Sequence, residues 1–97
     1  MQDYTGWIVR ATAGREQGEL FCVVGVDQEQ GKLLLADGKH RRMACPKRKK
    51  LGHVETLSDH LHMYQHPAIQ KLREGIPPSN KELRRALAAF RAEHKEG

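Results

Sequence analysis

Two observations on the sequence predict a mainly β fold, in which a small five-stranded barrel is followed by a two-helix extension. The first 57 residues contain five short β-prone segments separated by glycine-containing turns. A segment this short cannot bury itself, and a barrel closes the strand edges that an open sheet would expose. The rest of the chain changes to helical spacing. We therefore place the barrel at residues 1–57 and the helical extension at 58–97, in a chain of 97 residues with room for one core.

Apolar and β-branched runs, each closed by glycine or proline, mark the predicted strands. The run at 20–26 is strongly β-prone, and glycines flank the tip of the polar loop before it. The strands are predicted at residues 7–11, 20–26, 32–36, 41–44 and 53–57.

The dipeptide Asp37-Gly38 is the sharpest hairpin signal in the sequence. A two-residue type I′ turn needs positive φ at both positions, and Asp-Gly is among the pairs that adopt it. We therefore expect this turn to join the third strand directly to the fourth. Pro46 then ends the fourth strand, because proline cannot donate a hydrogen bond to a neighbouring strand.

Two helices are predicted in the extension. The first covers residues 67–74 and ends at Gly75, because proline is tolerated in a first turn and glycine adopts the left-handed position after a helix. The second covers residues 80–94 and begins at a capping box, in which Ser79 stands three residues before Glu82.

The second helix is amphipathic. Leu83, Leu87 and Phe90, with Ala86 alongside, recur at helical spacing, and we expect them to pack against the barrel or the first helix. If this stripe were exposed, the chain would instead be a protein-interaction adaptor, which is the alternative function. The opposite face carries Arg84, Arg85 and Arg91.

The positive charge is concentrated in one segment. The chain has 17 lysines and arginines against 12 acids, and residues 38–54 hold seven bases and no acid. Such a segment repels itself unless a partner supplies counter-charge, which predicts a nucleic acid. The seven bases are Lys39, Arg41, Arg42, Lys47, Arg48, Lys49 and Lys50.

An ordered series of glycines and valines precedes the basic segment. Gly6 and Val9 are followed by Gly14, by Gly18 and by Val23 in the next strand. This series resembles the KOW motif of SH3-like barrels in ribosomal proteins and transcription elongation factors. With the basic segment and the tail included, the chain resembles the small bacterial KOW-domain RNA-binding proteins, which are akin to a ribosomal-protein family of archaea and eukaryotes.

The resemblance implies an SH3-like barrel that binds structured RNA, ribosomal or ribosome-associated, without catalysis. Two positions depart from the motif. Gln17 stands where a lysine is usual and Phe21 where a glycine is usual, so Arg15 is the only cation at the tip of the loop that contains Gly14 and Gly18. The predicted RNA-binding residues are Arg15, Lys39, Arg41, Arg42, Lys47, Arg48, Lys49, Lys50 and His53.

Few aromatic side chains are available for stacking on bases. The barrel region offers Tyr4, Trp7 and Phe21, and Phe21 lies in an apolar run where core packing is expected. Sequence-selective recognition of single strands is therefore not expected.

Metal and catalytic sites are not predicted. His60, His62 and His66 cluster in sequence, with His53 and Cys45 upstream, but no closed set of four ligands has a familiar zinc spacing. We interpret the histidines as surface residues and leave metal binding as the alternative. No nucleophile elbow, phosphate-binding loop or paired-carboxylate motif is present, so we expect neither an enzyme nor a cofactor.

The remaining composition predicts a cytoplasmic protein. No apolar run approaches the roughly 20 residues that span a bilayer, and two cysteines are too few for a disulfide framework. We therefore expect reduced thiols, no membrane contact and a monomer when the protein is free. Cys22 and Cys45 are both predicted to be packing residues.

Overall fold

The computed structural model describes residues 1–58 and 65–94. In these ranges the fold is a five-stranded antiparallel sheet with two helices, mainly β as predicted. The strands are β1 (Ile8–Ala11), β2 (Leu20–Asp27), β3 (Lys32–Ala36), β4 (Lys47–Lys50) and β5 (Val54–Thr56), and the helices are α1 (Pro67–Arg73) and α2 (Asn80–Glu93). The order of strands across the sheet is β4-β3-β2-β1-β5.

The two edge strands of the sheet follow each other in the chain. Only the 3₁₀ turn Leu51–His53 separates β4 from β5. In a flat sheet of five strands the two edges would lie about 19 Å apart, whereas the chain from Lys50 to Val54 can span at most about 14 Å. The sheet is therefore strongly curled. A bulge between Val23 and Gly25 increases its twist.

Both faces of the sheet are buried, which explains the continuous apolar runs of β1 and β2. One face carries Val9, Phe21 and Leu33. Their cluster also includes Leu51, which directly follows β4, and Val54 of β5. Residues from the two edges of the sheet thus meet on this face, so it is the concave face. The other face packs against the helices. Its cluster joins Ile8, Leu20, Cys22 and Ala36 of the strands to Ile69, Leu72, Leu83, Leu87 and Phe90 of the helices.

The apolar stripe of α2 is covered by the rest of the molecule. Leu83, Leu87 and Phe90 are buried against the sheet and α1, so the packing predicted for the second helix is confirmed. The division of the chain at residue 57 stays a prediction, although both parts contribute to this cluster. Neither of the two described helices has the length and apolar character needed to cross a membrane.

The fourth strand lies farther along the chain than predicted. Residues 41–44 are not a strand but belong to a ten-residue connection, 37–46, and the strand is Lys47–Lys50 on the other side of Pro46. Proline is acceptable immediately before a strand, because no neighbouring strand needs its missing N–H there. The lysine-rich residues 47–50, which the predicted end of the strand at Pro46 leaves in a connection, thus form an edge strand.

The Asp37-Gly38 pair does not form a type I′ hairpin. Gly38 has φ of +79°, but Asp37 has no positive φ, and both backbone N–H groups donate to the carbonyl of Arg41. The Asp37 carboxylate accepts hydrogen bonds from the backbone N–H groups of Lys39 and Arg41. The turn is therefore closed by the aspartate side chain, and the chain continues through the longer connection.

The predicted capping box at the start of α2 is present. The Ser79 hydroxyl accepts from the Glu82 backbone N–H, and the Glu82 carboxylate accepts from the Ser79 backbone N–H. The same carboxylate lies 2.7 Å from Nζ of Lys71 in α1. These interactions tie the start of α2 to α1.

Acid is expected to weaken this junction. The hydrogen bond from Lys71 and the backbone hydrogen bond from Ser79 lower the pKa of Glu82 to about 2. A lowered folded-state pKa stabilises the protein above the unfolded value near 4.5, and the stabilisation disappears as the pH falls towards 2. Glu82→Gln should therefore lower the urea midpoint at pH 7 and change it less and less below pH 4.5. Urea titrations at several pH values measure this, with Glu74→Gln as the control. A difference that did not change with pH would contradict the argument.

The two cysteines have different surroundings. Both thiols are free, and Cys22 is fully buried in β2, where burial raises its pKa to about 12 and Asp37 adds to the rise. Cys22 is thus a packing residue, as predicted. Cys45 is exposed on the connection 37–46, so the packing role predicted for it is wrong, because the strand predicted at residues 41–44, which would end beside Cys45, is not formed.

Candidate nucleic-acid interface

Three contacts bring the loop between β1 and β2, residues 12–19, next to the basic segment. The backbone N–H of Thr12 donates to the His53 carbonyl at 2.9 Å. Nζ of Lys49 donates to the Ala13 carbonyl at 2.7 Å, and Arg41 donates to Oε1 of Glu16 at 2.6 Å. Arg15, at the exposed tip of this loop, therefore lies beside the segment from Arg41 to His53.

Lys49 is engaged inside the molecule. Its side chain is 8% exposed, and its partner across the β3–β4 pair is the buried Leu33. Nζ also lies 3.7 Å from Oε2 of Glu16. A Cβ atom on Gly14 would stand 3.2 Å from this Nζ, and Gly14 has φ of +83°, so glycine leaves room for the lysine. The ammonium group of Lys49 is therefore bound inside the protein and is not exposed to a ligand.

Glu16 supplies a counter-charge that the basic segment itself lacks. The hydrogen bond from Arg41 lowers the pKa of Glu16, burial acts in the opposite direction, and the charges of Arg41 and Lys49 add to the lowering. The carboxylate is therefore ionised at neutral pH and neutralises part of the charge. The sequence does not reveal this pairing, because Glu16 is 25 residues from Arg41 and only the folded sheet brings them together.

Asp27 supplies a second counter-charge, at the surface. Its Oδ2 lies 3.3 Å from Nε of Arg48, whose side chain is 60% exposed. An exposed ion pair of this kind contributes little to stability, at about 0–1 kcal/mol, so a phosphate can compete with Asp27 for the guanidinium. The sequence predicts that a partner supplies the counter-charge for the whole basic segment. This prediction is wrong for Arg41, Arg48 and Lys49, which are paired with carboxylates of the protein itself.

The other predicted cations have no carboxylate partner in residues 1–58 and 65–94. Lys47 and Lys50 lie on the edge strand, Lys39 and Arg42 on the connection 37–46, and Arg15 on loop 12–19. Lys47 is half-buried, and the others are exposed. We call these five residues the basic edge.

Strand geometry divides the basic edge between two faces. Lys47 pairs with the buried Leu35, so its side chain is on the concave side of the sheet. Lys50 pairs with Lys32 on the opposite side. A polyanion that engages both lysines must therefore pass along the edge of the sheet.

Aromatic side chains contribute little to this surface. Phe21 and Trp7 are buried in the concave cluster, which confirms the core role predicted for Phe21. Tyr4 is half-buried and packs edge-to-face on Trp7, with ring centroids 4.6 Å apart. The described surface therefore favours contacts to phosphates over stacking on bases.

The histidines of the cluster can be located only in part. His60 and His62 lie outside the described residues. Nδ1 of His66 accepts a hydrogen bond from the Ala68 backbone N–H at the start of α1. Within the part of the chain that the structure describes, no three His, Cys, Asp or Glu side chains are grouped so that they could hold a metal ion.

Comparisons with known proteins do not assign the chain to a family. No protein-family model matches the chain, and a search of curated proteins finds no significant match. The KOW resemblance stays a prediction that depends on the residues quoted above.

Neutralising Glu16 is expected to strengthen polyanion binding. Glu16→Gln removes the charge that faces Arg41 and Lys49, and the affinity for an RNA hairpin at low salt should rise roughly threefold. Fluorescence anisotropy of a labelled hairpin measures this. Glu74→Gln makes the same change in net charge at the end of α1 and should leave the affinity nearly unchanged. Weaker binding by Glu16→Gln would mean that Glu16 positions the cations instead of competing with the ligand.

Proposed function

We propose that this chain binds structured RNA through the basic edge and catalyses no reaction. Lys39, Arg42, Lys47 and Lys50 donate hydrogen bonds to phosphate oxygens, and Arg15 approaches the same RNA from loop 12–19. The RNA is ribosomal or belongs to a ribosome-associated particle in the cytoplasm, as the KOW resemblance implies.

The observation that carries the proposal is the basic edge itself. Its five cations lie on an edge strand and two neighbouring loops, and none of them is paired with a carboxylate of the described residues. The fold supplies two carboxylates to neighbouring cations, Glu16 and Asp27, and leaves these five without one. A phosphate backbone is a partner that can neutralise several of them together, with release of its counterions.

RNA is favoured over DNA by the kind of element that carries the charge. The basic edge consists of a four-residue strand and short loops, whereas a major groove of DNA is usually entered by a helix or a two-stranded ribbon. Short elements suit contacts to phosphates and 2′-hydroxyls across the wide minor groove of an RNA helix. The KOW resemblance points in the same direction.

The proposal includes a closed barrel. The curl of the sheet and the direct connection between its edge strands support an SH3-like barrel in which β4 and β5 approach each other. The glycines at the predicted KOW positions, Gly14 and Gly18, have positive φ, which is typical of glycine in a tight loop. The burial of the α2 stripe removes the observation that would have favoured a protein-interaction adaptor.

The test is a titration of a fluorescein-labelled RNA hairpin with the full chain at several salt concentrations. The logarithm of the affinity should fall linearly with the logarithm of the salt concentration, and a DNA duplex of the same sequence should bind more weakly. Substitution of Arg42, Lys47 and Lys50 in the basic edge should lower the salt slope by about 3. No binding of the hairpin, or equal binding of polyglutamate, would contradict the proposal.

A further inference from the structure

A second group of basic side chains lies where the connection 37–46 meets α2. A pocket of about 200 Å³ opens there. Its basic lining consists of Lys39 and His40 from the connection and of Arg84 and Arg91 from α2, with Leu87 between the two arginines. Neither arginine was among the residues predicted to bind RNA, because the sequence indicates only that they lie on the polar face of a helix.

The walls of this pocket are held in a fixed position. Nη1 of Arg84 donates to the Gly38 carbonyl at 2.7 Å, and the Met43 backbone N–H donates to Oδ1 of Asn80 at 2.8 Å. The backbones also touch, since a Cβ atom on Gly38 would stand 2.1 Å from the Asn80 carbonyl oxygen. The backbone of the connection and the start of α2 are therefore held together, and the Arg84 side chain is held in place, before any ligand binds.

The helix directs the two arginines to the same side. Arg84 and Arg91 are seven residues apart, two turns of α-helix, so they share a face, and their separation along the axis is about 10 Å. Lys81 and Arg85 are four residues apart and share a different face, turned away from the buried stripe. Of the four basic residues on α2, two thus line the pocket, Arg84 and Arg91.

The charge of the pocket is positive at neutral pH. Lys39, Arg84 and Arg91 face two carboxylates, Asp37 in the wall and Glu19 at the exposed rim. Asp37 is already engaged, because it accepts hydrogen bonds from two backbone N–H groups. Arg84 uses one nitrogen for the Gly38 carbonyl and keeps donors for an anion, since a guanidinium carries five N–H groups.

We propose that this pocket is a second phosphate-binding site for the same RNA, so that the RNA crosses the connection 37–46 from the basic edge to α2. Lys39 belongs to both surfaces and joins them. Arg84 and Arg91 bind phosphate groups of the backbone, where a guanidinium can donate two parallel hydrogen bonds. The inference rests on the proposed function. It adds α2, whose apolar stripe packs against the sheet, to the RNA interface.

The matched pair Arg91→Gln and Arg85→Gln tests the inference. Both variants remove one positive charge from an exposed position on α2, but only Arg91 lines the pocket. With the labelled RNA hairpin at low salt, Arg91→Gln should bind roughly fivefold more weakly and reduce the salt slope by about 1. Arg85→Gln should differ less than twofold from the unchanged protein. Circular dichroism checks that both variants keep their helix content.

Three outcomes separate this inference from the proposed function. Loss of affinity confined to Arg91→Gln supports the pocket. Equal affinity of Arg91→Gln and the unchanged protein, or equal losses in both variants, overturns the pocket and leaves the basic edge untouched. Failure of the unchanged protein to bind the hairpin overturns the proposed function and the inference together.

Discussion

Replacing Arg42, Lys47 and Lys50 together by glutamine is expected to weaken binding of an RNA hairpin on the order of 100-fold at low salt. The three side chains have no carboxylate partner in the described residues, so their charge is available to phosphates. Each lost phosphate contact also removes about one unit from the salt slope, so the slope should decrease by about 3. Anisotropy titrations over a range of salt concentrations give both quantities.

The choice of residues makes this result specific. Arg48 and Lys49 are kept, because each already contacts a carboxylate, Asp27 and Glu16 respectively, and removing either would change an internal ion pair as well as the surface charge. The control is Arg73→Gln, Lys81→Gln and Arg85→Gln combined, which changes the net charge equally on exposed positions of the helices. Equal losses of affinity in the two triple variants would show that only the net charge attracts RNA and would contradict the assigned edge.

Gly38→Ala should destabilise the protein more than the same change at Gly18, which also has positive φ. Two costs combine at this position. Gly38 has φ of +79°, and an added Cβ would stand 2.1 Å from the Asn80 carbonyl oxygen, which is backbone and cannot rotate away. The connection 37–46 would have to separate from the start of α2, with loss of the Arg84 and Asn80 hydrogen bonds. We expect a loss of roughly 3 kcal/mol or more in the free energy of unfolding, measured by urea titration.

Gly18→Ala separates the two costs. Gly18 also has positive φ, +90°, but an added Cβ meets nothing within 4 Å. Only the cost of the left-handed backbone then applies, about 1–2 kcal/mol. Equal losses of stability in the two variants would mean that the contact between Gly38 and α2 is unimportant.

The helices and the first three strands were predictable because their signals are local. The capping box of Ser79 and Glu82 needs only two side chains three residues apart, and the stripe of Leu83, Leu87 and Phe90 follows helical spacing. Such signals depend only on residues that are close together in the chain. The capping box and the apolar stripe could therefore be predicted from the sequence alone.

The fourth strand was misplaced because its position depends on a contact between distant segments. Asp37-Gly38 has the local signature of a hairpin, but Gly38 packs against Asn80 and Met43 binds the Asn80 side chain. These contacts favour a longer connection, and the lysine-rich segment after Pro46 becomes the partner of β3. Propensity alone does not reveal that a helix occupies the space beside the turn.

The concentration of positive charge is a property of the chain itself, since seven bases without an acid between residues 38 and 54 are present in any conformation. Which of those charges remain available is a property of the folded molecule. Glu16 and Asp27 reach Arg41, Lys49 and Arg48 only because the sheet places loop 12–19 and the end of β2 beside the basic segment. Electrostatic pairing depends on distance in space, and folding brings together residues that the chain keeps far apart.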